Sequence, residues 1–269
     1  MTAPRYASPA DPTVHGEYRI VRRPGDDRPL YRFTGRITED GSSGFRAEPG
    51  RYHLYAGWFC PWSQRVTLEH ALHGLEDVVS VSYVDDSRDG RGWAFRETHG
   101  PDPVNGFTLL REAYEATEPG FDGHISVPTL WDRETGRVVS NDYPTIGIDL
   151  ATRFRQWDNG TDTYPEELRA EIEELDGDLV PTLGQGLPTE LLDRLEARLT
   201  GRRFLVGEQL TEADVRLWVH LARHAPGLEG HPAVRAYARD LHELPAFTAT
   251  TDFATFTARR PAWSERVAS

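Results

Sequence analysis

The only cysteine of the chain, Cys60, stands in the stretch "YAGWFCPWSQR", between an apolar run and a proline. The flanks read as a strand before it and a helix after it, with Pro61 in the first helical turn, where its missing N–H costs nothing. A thiolate at that junction faces the unpaired N–H groups and positive end of the helix. Such a setting lowers a cysteine pKa from about 8.5 into the range of roughly 3.5 to 7.5. Cys60 is therefore expected to be a reactive thiol, the competing reading being a small buried apolar residue. With no second cysteine, any disulfide it forms must be with an external thiol, which points to a low-molecular-weight thiol as co-substrate.

A second stretch, "SVPTLWD", places Val127 and Pro128 just ahead of a strand. A cis peptide there would present the Val127 backbone to an extended, peptide-like ligand. Other constellations carry less. His220 and His224 in "HLARH" lie one helical turn apart, a spacing that suits zinc. The glutamate of HExxH is missing and no third ligand is indicated, so no metal is expected. His70 and His73 read as surface or core-edge residues. No GxSxG, Walker loop or GxGxxG occurs, which leaves serine-hydrolase, P-loop and dinucleotide chemistry without an anchor.

The elements that must position Cys60 follow from periodicity. "RYHLYAG" reads as a strand, "PWSQRVTLEHALHGL" as a helix with one broad apolar face, and "VVSVSYVDD" as a second strand parallel to the first. After a polar, Gly-rich insertion over 86–123 with a short helix near "FTLLREAYEA", "SVPTLWD" and "GRVVSN" form an antiparallel hairpin. "DYPTIGIDLATRFRQW" follows as a helix, and "DNGTDTYP" as a linker. Beyond Pro165 every periodic segment is helical, among them "TELLDRLEARLTG", "TEADVRLWVHLARH" and "HPAVRAYARDLHELPAF". In "QLTEADVRLW", Thr211 and Asp214 form a capping box with Leu210 and Val215 as its hydrophobic staple. The expected fold is α/β plus all-α. Residues 1–50 form an extension in which "EYRIVRR" and "LYRFTGRI" pair as an edge hairpin, 51–157 a mixed α/β domain, and 165–269 a helical domain.

Composition bounds the function. A net charge of −13 over 269 residues argues against a general nucleic-acid or anionic-membrane surface. No stretch of about 18 apolar residues and no signal-like N-terminus occurs. A soluble protein of the reducing cytoplasm is expected. All basic residues are arginine, the mark of a GC-rich genome.

The ordered set "CPWSQR", "GRGWAF", "VPTLWDRETGRVVSND" and "FLVGEQLTEADVRLW" resembles the glutathionyl-hydroquinone reductases, or Xi-class glutathione transferases, across most of the chain. The resemblance implies a thioredoxin-like N-terminal domain, an all-helical transferase C-terminal domain and a catalytic cysteine, here Cys60. In the family this thiol attacks the sulfur of a glutathionyl-hydroquinone, expels the hydroquinone and is left as a mixed disulfide, which a second glutathione resolves. Carried over, Trp93 flanks the bound thiol, Val127 and Pro128 clamp its cysteinyl part, Arg65 matches the family arginine, and Asp142 holds the acidic place that grips the γ-glutamyl ammonium.

The chain departs from the family at several points. Gln64 replaces the usual histidine, and Tyr143 stands where a serine pairs with the acid. Beyond residue 165 the only tyrosine is Tyr237, where the family uses several to hold the quinone. The expected partners are thus a thiol, either glutathione or another such as mycothiol, which has no γ-glutamyl group, and an aromatic or quinone-like substrate. A homodimer is compatible with this. Two alternatives stay open: a thiol-dependent tailoring enzyme of specialised metabolism, and a non-catalytic binding protein on the transferase fold.

Overall fold

The computed structural model of the chain describes residues 4–20, 25, 27–182, 186–223, 228 and 230–256. Strand β1 (Tyr52–Ala56) is buried along its whole length and sits inside a four-stranded sheet of order β2-β1-β3-β4. Its partner β2 (Ser80–Tyr83) runs parallel to it, with His53 opposite Ser80. On the other side β3 (Thr129–Asp132) runs antiparallel, Leu54 facing Leu130, and β4 (Arg137–Ser140) closes the hairpin. The parallel pair needs a crossover, and helix α2 (Pro61–Leu72) supplies it.

Helix α2 differs from its expected single apolar face. Every residue from Ser63 to His70 is buried, because the helix lies between two layers. Val66 packs toward the sheet with Leu54, Leu130, Ile146 and Leu150, whereas Leu68 joins the core of the helical bundle. Ile146 and Leu150 belong to α4 (Tyr143–Arg153), which lies beside α2 on the same face of the sheet. The insertion 86–123 covers the opposite face: Phe95, Leu110 and Phe121 pack there with Tyr55 and Trp131. Tyr114, on α3 (Arg111–Thr117), is buried in that layer and its hydroxyl meets Thr129 Oγ1 at 2.8 Å and Ser126 O at 3.0 Å.

Of the edge hairpin expected in the N-terminal extension, residues 21–23 of "EYRIVRR" lie outside the described residues. "LYRFTGRI" lines the free edge of β4, whose unpaired backbone groups attract a neighbour. Thr34 bridges Ser140, and the Gly35 N–H donates to Val139 O at 3.0 Å. Upstream, α1 (Pro12–His15) starts on Asp11, whose carboxylate accepts from Thr13 N at 2.9 Å. The segment is pinned to the insertion, Gly90 N donating to Gly16 O at 2.7 Å and the Arg91 guanidinium to Ser8 Oγ at 2.7 Å.

The bundle contains α5 (Arg169–Leu179), α6 (Thr189–Leu199), α7 (Glu212–Leu221), α8 (Pro232–His242), α9 (Pro245–Ala249) and α10 (Phe253–Phe256). The single helix expected over "HPAVRAYARDLHELPAF" is two, because Pro245 cannot donate to the preceding turn and starts a new helix instead. At the head of α7 the Thr211 N–H donates to Asp214 Oδ2 at 2.7 Å, and the same carboxylate accepts from Leu205 N at 2.9 Å and Tyr237 OH at 2.7 Å. Tyr237 is thereby a buried prop of the cap.

The segment expected as a linker is fastened to both layers. Thr163 is fully buried, donates to Glu69 Oε2 at 2.7 Å, meets His73 Nε2 at 3.0 Å and accepts from Glu212 N at 2.7 Å. No helix among the described residues is long and apolar enough to cross a membrane.

Candidate active site

Cys60 is the N-cap residue of α2, in extended conformation, and Pro61 opens the helix. Its Sγ lies 3.4 Å from the carbonyl oxygen of Val127, and the Val127–Pro128 peptide is cis, as the sequence suggested. The turn into the helix is closed by the Cys60 N–H, which donates to Gly57 O at 3.1 Å, and by the Gly57 N–H, which donates to Ser63 Oγ at 3.1 Å.

The low thiol pKa expected from the helix N-terminus is overturned. Cys60 is only 6% exposed, and its burial pushes the thiol above its ordinary value, although the Ser63 N–H and hydroxyl, the charge of Arg223 and the Trp62 N–H pull the other way. Desolvation disfavours a thiolate more strongly here than the partial charges at the helix end favour it. The resting group is therefore a thiol that needs help to ionise.

An aromatic and cationic wall stands beside it. Trp93 stacks on Phe59 at 4.4 Å between centroids. The guanidinium of Arg88 lies 4.4 Å from the Trp93 ring and 4.3 Å from that of Tyr18. The Tyr18 hydroxyl accepts from Ile125 N and meets His124 Nδ1, each at 3.1 Å. Tyr31 sets its edge on His124 at 5.5 Å and is 46% exposed. Its phenol is raised by burial and by the charge of Cys60, so the two groups lie within each other's field. Sequence reading missed Tyr18, Tyr31, Arg88 and His124. The alternating Tyr-Arg pairs of "EYRI" and "LYRF" were the available signal.

The remaining sequence-derived residues fall in two groups. Asp142 is at the N-cap of α4, half-buried, its carboxylate accepting from Thr145 Oγ1 at 3.0 Å. Tyr143 lays its ring on Trp62 at 4.5 Å, with the Arg65 guanidinium 5.5 Å from its centre. Arg65 is held by acids of the helical bundle. It is buried, and its Nε and Nη2 donate to the two oxygens of Glu212 at 2.9 and 3.0 Å, with Asp176 Oδ1 at 3.4 Å. The acids that meet it come from α5 and α7, so its charge joins the two layers. Gln64 is also buried: its amide nitrogen donates to Thr251 Oγ1 at 2.8 Å and Thr250 O at 3.2 Å, and its Oε1 accepts from Arg223.

The histidines are likewise structural. His70 Nε2 meets Val79 O at 2.6 Å, and His73 lies between Thr163 and Asp158. Both are buried, against the expectation of surface or core-edge positions. His220 Nδ1 meets Thr182 Oγ1 at 3.2 Å, and His224 lies outside the described residues. Among the described residues no cluster of three or more His, Cys, Asp or Glu side chains is arranged to hold a metal.

Comparison with known proteins agrees with this architecture. Residues 189–240 match the family model described as glutathione S-transferase, C-terminal domain. The chain is 39% identical over 212 residues to the glutathionyl-hydroquinone reductase PcpF of Sphingobium chlorophenolicum, covering 70% of this chain and 67% of that one. It superposes on the Xi glutathione S-transferase of Phanerochaete chrysosporium with a TM-score of 0.78 at 32% identity, covering 86% and 85% of the two chains. The glutathione-bound structure of YqjG, a glutathione transferase homolog from Escherichia coli, gives 0.77 at 30% identity, covering 83% and 85%. With a sheet of thioredoxin-like topology joined to a transferase-type helical bundle, the chain belongs to the family of glutathionyl-hydroquinone reductases, the Xi class of glutathione transferases.

Proposed function

We propose that the protein is a cysteine-dependent thiol reductase that removes a low-molecular-weight thiol from an aromatic or quinone-like thioether in the cytoplasm. The observation that carries this reading is the position of Cys60, an N-cap thiol 3.4 Å from Val127 O and flanked by the Phe59–Trp93 stack. The Cys60 sulfur, once ionised, attacks the sulfur of the thioether. The carbon–sulfur bond breaks, its electron pair stays with the ring carbon, and that carbon takes up a proton. The products are the freed hydroquinone and a disulfide between Cys60 and the thiol. A second thiol then attacks this disulfide, releasing the oxidised thiol dimer and the Cys60 thiolate. The ring carbon is reduced by two electrons, and the two sulfurs that leave as the disulfide, one from the thioether and one from the entering thiol, each give up one.

In this reading the Val127 and Pro128 backbone aligns the cysteinyl part of the thiol, Trp93 covers it, and Asp142 receives an ammonium if the thiol is glutathione. The relatives' names favour glutathione. Tyr143 favours a thiol without a γ-glutamyl group, such as mycothiol, because its ring is engaged with Trp62 where a short hydroxyl is expected. Mass spectrometry of the purified protein after exposure to glutathione disulfide or mycothiol disulfide tests both points. A single adduct of one thiol, absent from Cys60→Ser, supports the reading and identifies the thiol. No adduct with either disulfide rejects it.

A further inference from the structure

Arg223 follows the last turn of α7 and points back toward α2. Its Nη1 donates to Gln64 Oε1 and, at 3.1 Å, to Val219 O. Gln64 is one helical turn beyond Cys60, its N–H donating to the Cys60 carbonyl at 3.0 Å. The other end of the Gln64 amide is fixed by Thr250 O and Thr251 Oγ1. An amide bonded at both ends cannot flip without stranding buried polar atoms. Gln64 therefore fastens a guanidinium from the helical bundle to the first turn of the helix that Cys60 caps.

The groups that act on the sulfur come from four places. Helix α2 gives the Ser63 hydroxyl and the N–H groups of Ser63 and Trp62, and the loop before β3 gives the Val127 carbonyl. The N-terminal extension gives the Tyr31 phenol, and the helical bundle gives Arg223. Of these, Arg223 carries the formal positive charge. A carbonyl acceptor favours the protonated thiol and a phenol brings no cation, and the Arg88 guanidinium of the neighbouring wall is held over the Tyr18 and Trp93 rings, so among these groups Arg223 adds its formal charge to the partial charges of α2 that act against burial. Burial pushes Arg223 down to about 10, which leaves it cationic near neutral pH.

We propose that Arg223, held by Gln64, is the electrostatic partner that stabilises the thiolate of Cys60, with Gln64 as a positioning residue. The inference rests on the reading of Cys60 as the nucleophile and adds to it a residue from the other layer of the molecule. It means that the reactive state of the thiol depends on the docking of the bundle against α2.

The test is the rate of Cys60 alkylation by iodoacetamide as a function of pH, measured on the full chain. Arg223→Met is expected to move the midpoint of the profile upward by about one pH unit, about tenfold in rate at a fixed pH below it. Arg223→Lys is expected to restore most of the shift. Gln64→Met keeps the cation but unfastens it, and is expected to fall between; it also serves if Arg223→Met does not fold. A profile unchanged in Arg223→Met, or in Gln64→Met where only that variant folds, overturns the proposal. The readout needs no turnover. A wild-type thiol that alkylates but takes up neither thiol disulfide rejects the proposed function while leaving the Arg223 shift to be judged on its own.

Discussion

Arg65, in the first turns of α2, grips both carboxylate oxygens of Glu212, the first residue of α7, through parallel hydrogen bonds of 2.9 and 3.0 Å. Arg216, one turn further along α7, shares the same carboxylate. Both guanidinium groups and the carboxylate are buried. Removing the acid leaves two buried guanidinium groups to share Asp176 and the more exposed Glu173, so Glu212→Ala is expected to cost about 3 kcal/mol, the low end for a broken buried pair. Arg65→Met is expected to cost less, because Arg216 still neutralises Glu212. Denaturant unfolding of the variants measures both.

Replacing the nucleophile separates chemistry from folding. In Cys60→Ser a hydroxyl takes the place of the thiol near Val127 O, and stability is expected to change by no more than about 1 kcal/mol. Turnover is expected to fall by roughly 10³-fold or more, as for loss of a catalytic nucleophile. Thermal unfolding and an assay of thioether reduction check the pair of outcomes.

His53 gives a pH dependence with a defined sign. The ring is fully buried between Ser80 Oγ at 2.7 Å and Ser82 Oγ at 2.8 Å, and burial pushes it down to about 3. Below the ordinary histidine value of about 6.5 the unfolded chain takes up a proton that the folded chain refuses. The stability from the neutral ring is therefore present above about 6.5 and is lost as pH falls toward 3, at up to roughly 1.4 kcal/mol per pH unit. Unfolding free energies measured across that window are expected to slope less in His53→Asn than in wild type.

Gly90 tests how the N-terminal extension is held. A Cβ there would come 2.1 Å from His15 O, a backbone atom that cannot step aside alone. Gly90→Ala is expected to detach residues around α1 while leaving the bundle folded. Faster proteolytic cleavage near residue 16, with an unchanged core, is the expected result.

The parallel β1–β2 pair, the β3–β4 hairpin, the cis Val127–Pro128 bond and the capping box at Thr211 were legible because each depends on local chemistry: alternation, an X-Pro step, a side chain reaching its own backbone. The environment of Cys60 was not. Whether its thiol is raised or lowered depends on how completely Trp93 and Val127 exclude water, and on the cation that follows α7, both of which are distant in sequence. For the same reason the ion pair of Arg65 was not legible: its type and place on α2 were visible, but the Glu212 it pairs with lies in another layer. The histidines misread as core-edge residues show the limit again, since α2 is buried by partners on both sides that its own periodicity does not record.

The arginine clasp between α2 and α7 bears on the conditions under which such a thiol can work. A thiol raised by burial reacts faster as the medium becomes alkaline, and alkalinity is where a lysine-built interface would begin to shed its protons. Guanidinium groups keep theirs beyond about pH 12. The pairing with Glu212, Glu173 and Asp176 holds the Arg216 proton more firmly still. The scaffold therefore tolerates the basic media that awaken its nucleophile.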